Sequence, residues 1–154
     1  MVNADPQHPD LALLCARMNT YGVEYLVMGG WAAIAHGLPR TTIDVDIYIR
    51  PTLENAARLV HALSGIGFGI AKEIDPQEIL DRRIFLFADQ IRVDVFTQPA
   101  GLEDFDACRS RRIDREFEAV TIPFLGLDDL IRSKQTGRPQ DENDVRALRK
   151  LPGT

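Results

Sequence analysis

Two aspartates stand one residue apart inside an otherwise apolar segment, TIDVDIYI at residues 42–49. Apolar and polar residues alternate along it, which predicts a β-strand with Asp44, Asp46 and Tyr48 on one face. The opposite, buried face is predicted to consist of Ile43, Val45, Ile47 and Ile49. Two carboxylates so close repel each other unless a proton or a cation intervenes. Mg²⁺ often fills this role, because it binds one or two carboxylates while keeping positions for water and substrate phosphates.

A third aspartate follows the same pattern. In VDVF at residues 93–96, Asp94 lies between two valines, so it too occupies the polar face of a predicted strand. If the two strands pair in register, Asp44, Asp46 and Asp94 converge. Three carboxylates can hold two divalent ions, Mg²⁺ or Mn²⁺, for an in-line phosphoryl displacement. The alternative is a plain structural α/β domain whose polar sheet face meets water, the usual setting of an isolated Asp-x-Asp.

The elements that must position these residues follow the order helix, strand, helix, strand, helix, then strands, then helices. This order predicts a mixed β-sheet with packed helices, an α/β fold of the α+β kind. The predicted helices cover residues 10–20, 31–36, 53–63, 127–136 and 139–151. The predicted strands cover 23–28, 42–49, a hairpin over 82–96 that turns near Asp89-Gln90, and 113–125 as one long strand or a pair.

Composition limits the classes of protein that fit this chain. Its 154 residues, 45% of them hydrophobic, suit one globular domain over 1–154, with a core at about 10–122 and a helical segment at about 126–151. The net charge of −5 argues against a surface that binds nucleic acid everywhere, although the arginines at 109–115 leave a local patch as an alternative. No apolar run approaches the roughly 20 residues of a membrane span, so we expect a cytoplasmic protein.

The motifs together resemble the nucleotidyltransferase superfamily with a DNA polymerase beta type of core. The residues that carry the resemblance are GGW at 29–31, DVD at 44–46 and VDVF at 93–96. It implies a reaction in which a nucleoside monophosphate passes from an NTP to a hydroxyl group, with Mg²⁺ or Mn²⁺ as cofactor. Many members have a serine after the first glycine, whereas this chain has Gly30.

The resemblance also implies roles for individual residues. Asp44, Asp46 and Asp94 would bind the metal, and Asp94 would in addition activate the attacking hydroxyl. Gly29 and Gly30 would let the strand-to-helix turn approach the triphosphate closely, with helix amides facing the anion.

Two longer segments are similar to AbiEii-like nucleotidyltransferases, which include toxins of toxin-antitoxin systems. These segments are HGLPRTTIDVDIYI at 36–49 and KQTGRPQDENDVRAL at 134–148. By this resemblance Arg40 and Thr42 would border the nucleotide site.

The same resemblance gives the C-terminal segment its roles. Lys134 would contact nucleotide phosphate and Asp141 would orient it. Lys134 also follows the apolar stripe of its predicted helix and should point toward the sheet, unless its stem only passes the core to reach water. We expect Asp144 to be a helix-surface or capping acid.

The partners are less constrained by the sequence. The acceptor could be RNA such as tRNA, a protein or a small molecule, and a cognate antitoxin or a second copy of the chain could complete the site. The competing interpretation is a catalytically inactive relative that binds nucleotide or a partner protein, in the manner of an antitoxin.

Overall fold

The computed structural model describes residues 7–65, 71, 73–88 and 92–152, with side chains from residue 11 onward. The predicted turn near Asp89-Gln90 lies outside these residues. In chain order, the described elements are α1 (Gln7–Thr20), β1 (Tyr25–Met28), α2 (Gly29–Ala35), β2 (Val45–Ile49), α3 (Leu53–Ser64), α4 (Pro76–Leu80), β3 (Ile84–Ala88), β4 (Arg92–Phe96), α5 (Phe105–Ser110), β5 (Ile113–Phe117), β6 (Val120–Phe124), α6 (Leu127–Ser133) and α7 (Pro139–Arg149).

The strands form one mixed six-stranded sheet in the order β3-β4-β2-β1-β6-β5. The pairs β1/β2, β3/β4 and β5/β6 are antiparallel, whereas β2/β4 and β1/β6 are parallel. The predicted α+β class is confirmed. The segment predicted as one strand or two is an antiparallel pair, because Glu118 and Ala119 adopt positive φ angles of 49° and 67° and reverse the chain.

Helix α1 buries one face. Leu11, Leu14, Cys15 and Met18 have the spacing of a single helix face, and all four are buried. The helix packs against α3 and β6. Helix α3 in turn begins at a capping threonine, Thr52, whose side chain accepts a hydrogen bond from the Asn55 amide. Helix α1 therefore connects helix α3 to strand β6 of the sheet.

The prediction for the strand of the two aspartates gave the correct end, Ile49, but was wrong about its start and about the polar face at Tyr48. Strand β2 begins at Val45, so Asp44 lies just before it, and Ile43 is 67% exposed instead of buried. Tyr48 shares the polar face yet is buried, because the Phe105 ring packs on it edge-on at 5.4 Å. Its hydroxyl donates a hydrogen bond to the Glu103 carbonyl oxygen at 3.0 Å.

Two short helices, α4 and α5, were not predicted. Their start signals are present in the sequence. Asp75 and Glu78 form a reciprocal capping box around Pro76, and the Asp104 side chain accepts a hydrogen bond from the backbone of the first turn of α5. Apolar periodicity alone misses such helices, because they are too short to show it. No helix in the described ranges is long and apolar enough to cross a membrane.

Candidate active site

A cleft of about 1130 Å³ opens over the middle of the sheet. It collects residues from the β1–α2 junction, the segment before β2, strands β3 and β4, and the α6–α7 junction. Nine residues predicted from the sequence line it: Gly29, Gly30, Arg40, Thr42, Asp44, Asp46, Asp94, Lys134 and Asp141.

Strand register brings two of the three predicted acids side by side. In the parallel pair β2/β4, Asp46 lies directly opposite Asp94. The same row continues to Met28 on β1 and to Leu86 on β3. Two carboxylates therefore meet in the interior of a sheet with apolar residues next to each of them.

This setting acts strongly on the Asp46 carboxyl group. Burial, together with the neighbouring charges of Asp94 and Asp44, raises its pKa to about 7, although Lys134 and Arg92 act in the opposite direction. Its Oδ1 atom is buried and has no hydrogen-bond partner among the described residues. A buried, unpartnered carboxylate oxygen beside a second carboxylate suits a hard divalent cation such as Mg²⁺, so the side chains present fit that ion.

Arg92 contacts two of the three predicted metal-binding aspartates, Asp94 and Asp44. Its Nε donates to Asp94 Oδ1 at 2.9 Å and lies 3.9 Å from Asp44 Oδ2. The pKa of Arg92 is raised mainly by the hydrogen bond to Asp94. Within the described part of the chain, no three His, Cys, Asp or Glu side chains are arranged so that they could hold a metal ion as they stand.

Both glycines of the β1–α2 junction are sterically required. Gly29 has a φ of 65°, and a Cβ there would lie 2.3 Å from Asp46 Oδ2. A Cβ at Gly30 would lie 2.7 Å from Thr42 Oγ1 and 2.8 Å from Thr42 Cβ. Gly29 thus makes room for Asp46, a candidate metal ligand, and Gly30 makes room for Thr42.

Lys134 is the residue that follows α6, and its ammonium group is buried. Its Nζ donates to Asp144 Oδ2 at 2.9 Å and lies 3.8 Å from Asp141 Oδ1. Arg40 also donates to Asp144 Oδ2. The expectation that Asp144 is a surface or capping acid was wrong, because Asp144 is only 4% exposed and directly accepts from both cations.

Asp141 has different principal partners. It accepts hydrogen bonds from the Thr136 hydroxyl and from Arg138. Burial alone would raise its pKa, but these two hydrogen bonds and the charges of Arg138 and Lys134 together hold the pKa of Asp141 below its ordinary value. Its predicted role of orienting Lys134 stays a prediction.

The cleft is more basic than the sequence analysis indicated. Its charged lining consists of Arg40, Arg82, Arg83, Arg92, Lys134 and Arg138 against Asp44, Asp46, Asp94 and Asp141. The signal for Arg92 was present, because it precedes Asp94 by two residues and shares its face of the strand. Arg82 and Arg83 could not be placed from the sequence, because their position depends on how the hairpin joins the sheet.

The arginines at 109–115 do not line this cleft. Arg109 pairs with Glu24, Arg111 with Asp129 and Arg112 with Asp114. The patch alternative loses support, because these three charges are matched inside the chain.

Comparison with solved structures agrees with the fold. A presumed nucleotidyltransferase from Thermotoga maritima superposes with a TM-score of 0.58 at 17% identity, over 90% of this chain and 89% of that one. An antigenic nucleotidyltransferase-like protein from Paracoccidioides brasiliensis gives 0.58 at 14% identity, over 96% and 76%. The chain has the nucleotidyltransferase fold. No protein-family model matches the sequence, and no curated protein matches it significantly.

We expect Gly30→Ala to lower the free energy of unfolding by roughly 1–3 kcal/mol, because the new Cβ overlaps the Thr42 side chain. Thr42→Gly removes the overlapping atoms, so in a double-mutant cycle the two changes should couple by about 1 kcal/mol or more. Urea denaturation of the two single variants and the double variant measures the coupling. Additive effects would show that Thr42 is not what excludes a side chain at position 30.

Asp46→Asn should stabilise the metal-free protein increasingly as pH rises. Between pH 4 and pH 7 the folded state holds a proton on Asp46 that the unfolded chain has lost, so unfolding free energy falls across this window. The advantage of the variant over wild type should grow by roughly 2–3 kcal/mol from pH 5 to pH 8. Urea denaturation in EDTA measures it. Asp114→Asn on the exposed part of β5 is the control, and a pH-independent difference for Asp46→Asn would contradict the expectation.

Asp144→Ala should lower the free energy of unfolding by roughly 3–5 kcal/mol, because it leaves the buried Lys134 without its nearest counter-charge. The double variant Lys134→Met/Asp144→Leu should regain most of that loss, since it buries no charge at either position. Asp128→Ala, on the exposed first turn of α6, should change stability by less than about 0.5 kcal/mol. Chemical denaturation of the four proteins tests this, and an unrecovered loss in the double variant would count against the pairing.

Proposed function

We propose that the chain is a metal-dependent nucleotidyltransferase that transfers a nucleoside monophosphate from an NTP to a hydroxyl acceptor. One observation supports this most directly. Asp46 and Asp94 lie opposite each other on parallel strands, and the buried Oδ1 of Asp46 has no partner among the described residues. An arrangement that costs stability in this way is typical of a functional site.

Asp44, Asp46 and Asp94 would hold Mg²⁺ or Mn²⁺. The bound ion would neutralise phosphate charge and stabilise the oxygen atoms of an in-line displacement. Asp94 accepts the proton of the acceptor hydroxyl, whose oxygen attacks the α-phosphorus. The bond from that phosphorus to the bridging oxygen breaks, and pyrophosphate leaves. Catalysis of this kind depends mainly on positioning and electrostatics.

The basic residues of the cleft would bind the triphosphate. Lys134 is the central candidate, because it lines the cleft and its ammonium group is held by Asp144 and Asp141. Arg40 lines the same cleft and also pairs with Asp144. Gly29 lies against the Asp46 carboxylate, and Gly30 lies against Thr42.

The AbiEii-like segments extend this proposal to a biological role. By that resemblance the chain would act in a toxin-antitoxin pair, with RNA or protein as acceptor and a cognate antitoxin or a second copy as partner. A cytoplasmic location would suit such a role.

One observation favours a second candidate function, an inactive relative that binds nucleotide or a partner protein. Arg92 already occupies an oxygen of Asp94, and the described residues hold no preformed three-ligand group. A protein that had lost catalysis could keep its cleft in that state.

The test is transfer of label from each α-³²P NTP, with Mg²⁺ or Mn²⁺, to total cellular RNA, protein or a small-molecule extract. We expect Asp94→Asn to reduce transfer by roughly 100-fold or more, because it removes both a ligand and the proton acceptor. Asp114→Asn, outside the cleft, should match wild type. If no fraction is labelled while Mg²⁺ and NTP still raise the melting temperature of wild type more than that of Asp46→Asn, the second candidate is supported instead.

A further inference from the structure

Arg92 contacts two of the three aspartates that are proposed to bind the metal ion. Its guanidinium lies between Asp94 and Asp44, at 2.9 Å and 3.9 Å from their oxygens. Building on the proposed function, we infer that Arg92 is a built-in competitor of the metal ion, which must leave these carboxylates before they can bind the ion. Arg92 then sets the metal affinity of the site without being a ligand.

The register of β2 against β4 determines that Arg92 lies beside Asp44. Val93 lies opposite Val45 in the parallel pair, so the residues before them, Arg92 and Asp44, are cross-strand neighbours. Arg92 also precedes Asp94 by two positions on β4 and shares its face. One cation is therefore adjacent to two carboxylates of the group and lies on the same side as the third.

The contacts of Arg92 also allow it to leave. Its side chain is 49% exposed, and it pairs with no acid other than Asp44 and Asp94 among the described residues. Half-exposed ion pairs contribute little stability, since water replaces the partner at small cost. A divalent cation carries twice the charge and can be coordinated by oxygen atoms of both carboxylates at once.

Lys134 provides the contrast that singles out Arg92. Its side chain is 7% exposed, and two buried carboxylates hold it in place. Releasing it would separate a buried ammonium group from two buried carboxylates, which is costly. Of these two cations near Asp46, only Arg92 can exchange places with an incoming ion at low cost.

The experiment measures Mn²⁺ binding to the full chain without nucleotide, from the free-ion signal in electron paramagnetic resonance, at pH 7.5 and about 0.15 M KCl. Arg92→Gln should bind Mn²⁺ roughly three- to tenfold more tightly than wild type, because the competing charge is gone. Arg92→Lys keeps a cation and should stay closer to wild type than to Arg92→Gln. Melting curves in EDTA check that the variants fold.

Arg83→Gln is the matched control. Arg83 lines the same cleft, but its guanidinium donates to the Gln98 carbonyl oxygen and pairs with no carboxylate among the described residues. A general change in the field of the cleft should move Mn²⁺ affinity by less than about twofold at this salt concentration. An equal gain in Arg83→Gln and Arg92→Gln would overturn the inference.

The outcomes separate this inference from the function on which it rests. If wild type binds Mn²⁺ and Arg92→Gln binds it no more tightly, Arg92 is not a competitor, and the proposed function is untouched. If neither protein binds Mn²⁺, the metal-dependent function itself fails and the inference fails with it. Tighter binding in Arg92→Gln that is abolished by adding Asp46→Asn supports both.

Discussion

The parallel pairing of β2 with β4 is the constraint on which the site depends. It sets Asp46 against Asp94 in a row that has Met28 on one side and Leu86 on the other. Raising a carboxyl pKa from 3.8 to about 7 corresponds to a cost on the order of 4 kcal/mol for keeping the group ionised at neutral pH. That is a large part of the stability of an ordinary domain. The residues around the two carboxylates either make room for them or place positive charge near them.

Gly29, Lys134 and Arg92 act on the carboxylates in three different ways. Gly29 gives space, because any Cβ there would overlap the Asp46 carboxylate. Lys134 lowers the pKa of Asp46 from a distance, while its own charge is matched by Asp144. Arg92 supplies a directly bonded cation at Asp94. Steric room, a buried positive charge and a half-exposed positive charge therefore surround the Asp46 and Asp94 carboxylates.

Sequence alternation was enough to predict which face each aspartate occupies, because that depends only on neighbouring residues. It could not determine that residues 46 and 94 are register partners, since pairing of strands distant in the chain is set by the whole sheet. Ile43 and Tyr48 show the limit of the pattern. Ile43 precedes the strand and is exposed, and Tyr48 is buried because Phe105, from a helix that periodicity does not reveal, covers it.

The C-terminal helix illustrates a second limit. Asp141 and Asp144 are three residues apart, so they share a face of α7, and helical periodicity cannot rank them. The resemblance pointed to Asp141, whereas the shortest contact of Lys134 is with Asp144. What distinguishes them is Arg40, which reaches Asp144 from a loop more than a hundred residues earlier. Only the folded chain contains that information.

The charges of the cleft fall into two groups with different consequences. Around α7, Asp141 and Asp144 are matched by Lys134, Arg40 and Arg138 through direct ion pairs. At the sheet, three carboxylates face the single directly paired guanidinium of Arg92. When all three are ionised, two negative charges remain unbalanced there, which equals the charge of one divalent cation. An ion that also displaced Arg92 would leave its guanidinium without a carboxylate partner. The freed guanidinium could then pair with an anion in the cleft that it lines. Binding of the cation would in this way favour binding of phosphate, and the reverse would also hold.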